Sequence, residues 1–586
     1  MRAWLLMMAV LGLAGCGGNE TAHQADKLVE ALWQARLDAD PLYATAVGDP
    51  RGRDRLPDLS PAALARQDDL HASLLKRLDA LDRTALDAGR RATVDIARLE
   101  LRAARADYRF GGQRMVLSGG TGLVDGLAHF VDTLVLTDEA AAQAYVARLE
   151  AVPGYIDSHL AWLAEGLELG ITQPAPAIAA LPDNADRLLA VAVSASTWYK
   201  PLTSLPERID IAAQAQLRLA GATAISQGIY PAIRRYRDFL VKEYLPRTRA
   251  SLAISDVAGG GDYYRAQVAY YTTTDLTPEQ IHALGEAEVA RIDQEMAQLL
   301  EAAGIRQTPA LYAAALRQDP QYVAASPQAL LEKAAYHVKR AEAALPRLFH
   351  RDLLPRTPLA VAPVPAFLAP AYTTGRYAEA GSSTQPGTYL VNTYDLPARP
   401  LYELPALSLH EGTPGHHLQI AIADEQLGDL PLLRRHAYLS AFGEGWALYA
   451  ERLGTEFDYY EDVASQFGRL SYEMWRACRL VVDTAIHHYG WDRQQAIDYL
   501  ARHTALSRRN VETEVDRYIG WPGQALAYKV GELTLLRLRR QAQQELGERF
   551  DVRDFHAAVL GQGAVPLATV EEQVRDYIRQ ARATAE

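Results

Sequence analysis

Cysteine is close to absent: Cys16 and Cys478 are the only two among 586 residues. Cys16 belongs to the leader described below, so Cys478 is left without a partner for an internal disulfide and the fold must be held by packing. Long apolar runs are missing as well. Past the leader nothing approaches the roughly 20 consecutive apolar residues that a membrane-spanning helix needs. Positive charge is in deficit, with 60 Lys and Arg against 72 Asp and Glu, a net charge of −12 and a pI near 5.7. Surfaces that bind nucleic acid gather Lys and Arg, and no RNP, zinc-finger or P-loop pattern accompanies this balance, so nucleic acid is excluded as the expected partner. Internal repeats and long linkers are also lacking, and 49% apolar content over this length is enough for a large packed body.

What is present begins with the N-terminus, "MRAWLLMMAVLGLAGCGGNE". One positive residue, Arg2, precedes an apolar run too short to span a bilayer, and Leu13-Ala14-Gly15-Cys16 then resembles a bacterial lipobox. Residues 1–15 are expected to be a lipoprotein signal peptide, with lipidation of Cys16 and a tether over 16–24. Gly17, rather than Asp, after the cysteine favours the periplasmic face of the outer membrane by resemblance to Gram-negative lipoproteins.

The body reads as mainly α. "ETAHQADKLVEALWQARLDAD", "EAAAQAYVARLEAVPGYIDSHLAWLAEGLELG" and "TPEQIHALGEAEVARIDQEMAQLLEAAG" repeat apolar residues every three or four positions and are rich in Ala, Leu, Glu and Arg. Thr277 is placed to cap the last of these, with Pro278 at its first helical position and Gly304 at its end. Helical periodicity fails between about 355 and 405, where proline is dense. "GTYLVNTY", residues 387–394, is the best strand there, read as an edge of a small antiparallel sheet able to pair with an extended substrate. The expected division is an N-terminal helical half over 25–354 and a C-terminal part over 355–586 that holds the β-rich insert and the site.

"LHEGTPGHHLQ", residues 409–419, resembles a zinc-peptidase H-E-x-x-H signature but has Pro414 where the second histidine belongs. A catalytic zinc takes three His, Asp or Glu ligands and keeps a place for water. Gly412, Thr413, Pro414 and Gly415 form a helix-breaking quartet. If two residues bulge out of the helix, His416 takes the i+4 place of His410; if three do, His417 does. On an unbroken helix His417 would lie roughly 10 Å along the axis from His410 and could not share one ion. His416 is preferred, with His417 beside it. The third ligand is sought in "SAFGEGWALYAERLG", where Glu444 stands between Gly443 and Gly445, small neighbours that would let a helix approach a metal; Glu451, seven residues on, is the second choice or an orienting partner.

"HEGTPGHHLQ", "EGWALYAE", "WRACRLVVDTAIH" and "RYIGWPGQALAYKVGE", in this order, resemble the bacterial DUF885 family, from about residue 25 to the C-terminus. The resemblance implies a spacing variant of the gluzincin peptidases: a neurolysin-like or angiotensin-converting-enzyme-like helical body in two halves with a deep cleft. It implies one Zn2+ per chain held by His410, His416 and Glu444, with Glu411 as general base and oligopeptides as substrate. An amidase or esterase with the same site, or a peptide-binding surface lipoprotein without catalysis, are the alternatives.

Hydrolysis also needs a donor for the developing oxyanion, and Tyr528 is the first candidate, Tyr518 the second. Arg517 or Lys529 is expected to pair with a substrate carboxylate, and Gln524 and Asn392 to hydrogen-bond substrate backbone. Arg476, Arg479, Asp483 and His487 recur at helical spacings of three and four and are expected to form one buried polar network, with Asp483 accepting the second ring proton of a ligand histidine. An ion-pair ladder between two helices is the competing reading of these four.

Overall fold

The computed structural model describes residues 20–117, 122–132, 134–366, 368–380 and 385–583, together with the backbone of 2–19. The lipidation expected at Cys16 therefore falls outside the described side chains. No helix among the described residues is long and apolar enough to cross a membrane.

The chain is mainly helical and divides into two compact units, residues 1–251 with 257–263, and residues 252–256 with 264–586. The first is built from helices such as α1 (Pro61–Asp79), α2 (Ala88–Phe110) and α3 (Glu139–Leu169), started by Ser60, Asp87 and Asp138 side chains that accept from free N–H groups of the first turn.

The second unit carries every residue discussed below. Its α4 (Pro278–Ala302) starts with a capping box in which Thr277 and Gln280 bond each other's backbone, and Gly304, at φ +71°, follows its end. After α5 (Pro327–Leu348) come three strands, β1 (Leu359–Pro363), β2 (Gly375–Ala378) and β3 (Gly387–Val391), in the order β1-β3-β2. β1 runs parallel to β3 and β2 antiparallel, with Val361 and Tyr377 both opposite Tyr389. The sheet is thus mixed rather than antiparallel, and the strand expected at the edge is central. A five-residue strand hidden in the proline-rich stretch, "LAVAP", adds the side that periodicity did not reveal.

Six of the helices that follow carry the residues of interest: α6 (Leu404–Glu411), α7 (His416–Gln426), α8 (Ser440–Leu453), α9 (Val463–His487), α10 (Arg508–Gly520) and α11 (Ala527–Leu546). α9 is buried along almost its whole length, with Phe467, Met474, Val482 and Ile486 at 0% exposure. Such a helix can carry charge only where each charge meets a partner. Arg469, Glu473, Arg476, Arg479 and Asp483 follow one another at steps of three or four, one polar stripe on a buried rod.

Candidate metal centre

The helix that carries His410 stops at Glu411, and a separate helix begins at His416. The expected bulge within one helix is therefore a full break: residues 412–415 cross from one helix to the next, with the Thr413–Pro414 peptide cis. This crossing needs glycine at 415. A Cβ there would sit 2.0 Å from the His410 carbonyl oxygen and 2.3 Å from that of Leu409, so only a bare backbone can lie against the last turn of α6. Trp446 of α8 fixes the same crossing by donating its indole N–H to the Pro414 carbonyl at 2.7 Å. The result sets the His410 and His416 rings perpendicular, with centroids 4.8 Å apart.

Glu444 of α8 completes the arrangement. Its Oε2 lies 3.4 Å from His410 Nε2 and 3.3 Å from His416 Nε2. That oxygen is buried and accepts no hydrogen bond, whereas Oε1 accepts from the Tyr438 hydroxyl at 3.2 Å. Among the described residues these three side chains form the group of His, Cys, Asp or Glu whose ligand atoms lie within 4.8 Å of one another. Two ligands at about 2.05 Å from a tetrahedral ion stand about 3.3 Å apart, so the two separations fit a shared cation better than they fit hydrogen bonds. His417 is not part of this set. Its Nδ1 lies 3.2 Å from the Tyr377 hydroxyl, on the other side of α7's first turn.

Behind His410, Glu451 Oε1 lies 2.8 Å from Nδ1 and forms an ion pair with Arg476 at 3.1 Å. A ring that donates its Nδ1 proton to Glu451 turns the Nε2 lone pair toward Glu444, which is how a metal-binding imidazole is oriented. Burial alone would lower the His410 value, yet Glu444 and Glu451 on its two sides raise it to about 9. Glu444 is correspondingly held well below the ordinary carboxylate range: burial opposes this, but the His416 and His410 rings prevail. Two carboxylates thus converge on the His410 ring, an arrangement found at cation sites.

Glu411 is buried and its Oε2 accepts from the Tyr377 backbone N–H at 2.8 Å. The Asn392 N–H bonds the Thr374 carbonyl, and the alternation of an antiparallel pair then turns the backbone groups of Gly375 and Tyr377 away from β3. Glu411 thus stands on the free edge of β2. Tyr528, half-buried at the start of α11, lies nearly parallel to the His410 ring at 6.4 Å between centroids. Burial and the Glu444 carboxylate push its hydroxyl up, so it keeps its proton and can donate.

Other expected residues are committed elsewhere. Asn392 is fully buried just past β3 and donates to the carbonyls of Ala369, Tyr372 and Thr373, clamping the preceding loop instead of a substrate. Lys529 is 0% exposed, and its ammonium meets Glu532 at 2.6 Å, Glu473 at 2.9 Å and Glu288 at 3.2 Å, leaving no donor for a ligand. Asp483 serves no ligand histidine; it accepts from the Tyr264 hydroxyl at 2.6 Å and from the Gly523 N–H at 3.1 Å. Glu451, rather than Asp483, stands against the His410 ring nitrogen. Tyr518 is buried with its hydroxyl accepting from Trp475 and Arg479, which makes it a brace rather than an oxyanion donor. Arg476 turns to Glu451, whereas Arg479 and His487 both meet Tyr518, at its hydroxyl and its carbonyl, and Arg479 also pairs with Glu514.

Gly445 also departs from expectation. A Cβ on it would meet Gly531 Cα at 2.5 Å, and one on Gly531 would meet the Ala441 carbonyl oxygen at 2.0 Å. The small residues bring α8 against α11, not α8 against an ion. Tyr438, Trp446 and Tyr377 were missed by sequence reasoning, since each acts through a loop crossing or a strand edge; only the nearness of Tyr438 and Trp446 to Glu444 in sequence offered a signal.

Comparison with known proteins adds four findings. A structure described as a "putative lipoprotein" from Colwellia psychrerythraea superposes with a TM-score of 0.86 at 26% identity, covering 96% of this chain and 99% of that one. A second, a "putative lipoprotein of unknown function" from Shewanella oneidensis, shares the fold with a TM-score of 0.72 at 18% identity over 94% of this chain and 99% of its own. Among curated proteins nothing matches. Residues 41–574 match the family described as "Bacterial protein of unknown function (DUF885)", and the chain belongs to that family.

Proposed function

We propose that this protein is a zinc-dependent hydrolase that cleaves peptide bonds of oligopeptides. The observation that carries the proposal is the meeting of His410 Nε2 and His416 Nε2 on one unbonded carboxylate oxygen of Glu444, at 3.4 and 3.3 Å. His410, His416 and Glu444 would hold the ion, one per chain, which supplies Lewis acidity that makes a water nucleophilic near neutral pH.

The protein's own groups do the rest. Glu411 takes a proton from the attacking water and hands it to the leaving amine, a role that asks for a carboxylate fixed in place, as the Tyr377 N–H fixes this one. The outward N–H and C=O of Gly375 and the outward C=O of Tyr377 pair with an extended substrate along β2, which brings its carbonyl beside Glu411. Tyr528 donates to the oxygen on which negative charge grows. Tyr438 and Glu451 hold Glu444 and His410 in register.

The likeness to neurolysin-like and angiotensin-converting-enzyme-like peptidases belongs to this reading, as does a lipid anchor at Cys16 that faces the site toward the periplasm from the outer membrane. The description of two fold relatives as lipoproteins agrees with the anchor. The experiment is incubation of the purified mature protein with a mixed peptide library, with and without a chelator, and product identification by mass. Chelator-sensitive cleavage is expected; no cleavage of any peptide turns the reading toward an amidase, an esterase or a binding protein.

A further inference from the structure

One cluster beside the metal centre carries more positive charge than its neighbours balance. Arg517 of α10 and Arg479 of α9 both donate to the same oxygen of Glu514, at 2.9 and 3.0 Å. Glu514 is buried, and the two cations hold it down to about 2 against the effect of burial, so it counts as a full negative charge. The other acid that feels Arg517, Asp483, is pushed up to about 7 by burial and is already bonded by Tyr264 and Gly523. Two guanidinium groups therefore face one committed carboxylate.

Their donors are in surplus too. A guanidinium has five N–H groups. Arg517 uses its Nε and Nη2 on Glu514 and its Nη1 on the Gln524 side-chain oxygen at 2.6 Å, which leaves two N–H groups over. Arg479 uses Nε on the Tyr518 hydroxyl and Nη2 on Glu514, while its Nη1 is buried with no partner at all. An unmet buried donor of this kind is costly unless a ligand or solvent completes it.

Position ties the cluster to the reaction. The Arg479 guanidinium lies between Trp475, at 4.2 Å, and Tyr528, at 4.1 Å, and Tyr528 in turn lies parallel to the His410 ring. A single aromatic ring thus separates Arg479, which shares Glu514 with Arg517, from the His410 ring. Arg479 is too buried to be reached directly, but the Arg517 side chain is 24% exposed. Arg fits a carboxylate through two parallel bonds, which suits its two remaining N–H groups.

We propose that Arg517, backed by Arg479, receives the free C-terminal carboxylate of a peptide whose scissile bond lies at the metal centre, so that the substrate class is peptides cut close to a free carboxyl end. This rests on the peptide-hydrolase reading above. Gln524 holds the Arg517 fork, and Tyr528 adjoins both the carboxylate subsite and the reacting carbonyl.

The test is calorimetric titration of the mature full-length chain, chelator-treated and zinc-loaded, with a tripeptide whose scissile amide is reduced to CH2–NH. Free-acid and C-terminal carboxamide forms are compared. Wild type should bind the acid at least tenfold more tightly than the carboxamide in both preparations. Arg517→Gln should bring that ratio near one with carboxamide affinity unchanged, and Arg517→Lys should restore part of it. Equal affinity of wild type for the two forms, no binding of either, or a folded Arg517→Gln protein that keeps the preference would overturn the proposal. The wild-type ratio decides the matter alone if Arg517→Gln does not fold. Preference for the acid without hydrolysis of any peptide would refute the hydrolase reading and leave this anion subsite standing; equal hydrolysis of free and amidated peptides would do the reverse.

Discussion

Two clusters of buried charge meet on α9, one through Glu473 and one through Arg476, and they differ in one respect. Around Lys529 each of the three ammonium donors meets a carboxylate, from Glu473, Glu532 and Glu288, and Glu473 is met again by Arg469 at 2.8 Å. Around His410 two carboxylates and a second imidazole converge, and Glu444 Oε2 lies between the two rings without a hydrogen bond. Both clusters are costly to bury. The first is completed by the chain itself and acts as a staple between α4, α9 and α11; in the second, no hydrogen bond of the chain reaches Glu444 Oε2. Burial of charge alone does not mark a site, whereas burial of converging, unsatisfied acceptors does.

The comparison can be broken at either cluster. Glu411→Gln should lower kcat by about 10^2 to 10^4-fold while bound zinc, measured by elemental analysis, stays unchanged; full activity in this variant would remove the general base from the account. Lys529→Met should act on the other cluster, costing about 3–5 kcal/mol of stability because three carboxylates lose their counter-ion. Urea unfolding should show this as a lower midpoint with metal affinity intact, and loss of metal from a still folded Lys529→Met protein would mean that the two clusters are not separable.

Glu451→Gln sharpens the contrast, since it keeps size and removes the charge behind His410. Metal affinity should fall about 10- to 100-fold in competition with a fluorescent chelator, and an unchanged affinity would reduce Glu451 to a structural ion pair. The smallest effect is that of pH. Because His410 in the metal-free protein is raised from its usual 6.5 to about 9, a proton must leave it when an ion binds. The stabilisation that this proton gives the metal-free form is complete below about 6.5 and is lost as pH rises through about 9. Zinc affinity should therefore climb by up to about tenfold per pH unit across that window and level off above it; a flat profile would show that no such proton is displaced.

Much of the centre is legible in the sequence because its parts announce themselves locally. His410-Glu411, the Gly-Thr-Pro-Gly break and His416 lie within seven residues, and a glycine-flanked Glu444 follows in a mainly apolar helix. Helix ends such as Thr277 and Gly304 are equally local. The roles that sequence could not give depend on partners far along the chain. Lys529 looks like a substrate ligand until Glu288 and Glu473 are brought to it, and Asn392 until the Ala369 to Thr373 carbonyls fold over it. Asp483 and Glu451 both stand at helical spacings suited to backing a histidine, and only the crossing of α6, α8 and α9 decides for Glu451. The sheet was misjudged for a related reason: β1 is half-buried and rich in alanine and proline, without the alternation that betrays an amphipathic strand.

The central claim is that His410, His416 and Glu444 close around one divalent cation. X-ray absorption at the zinc edge on the purified, zinc-equilibrated mature protein tests it most directly. The account predicts one zinc per chain with two imidazole nitrogens and a carboxylate oxygen at about 2.0–2.2 Å and a further light-atom ligand. A protein that takes up no zinc, or one whose zinc has fewer than two imidazole ligands, would contradict it.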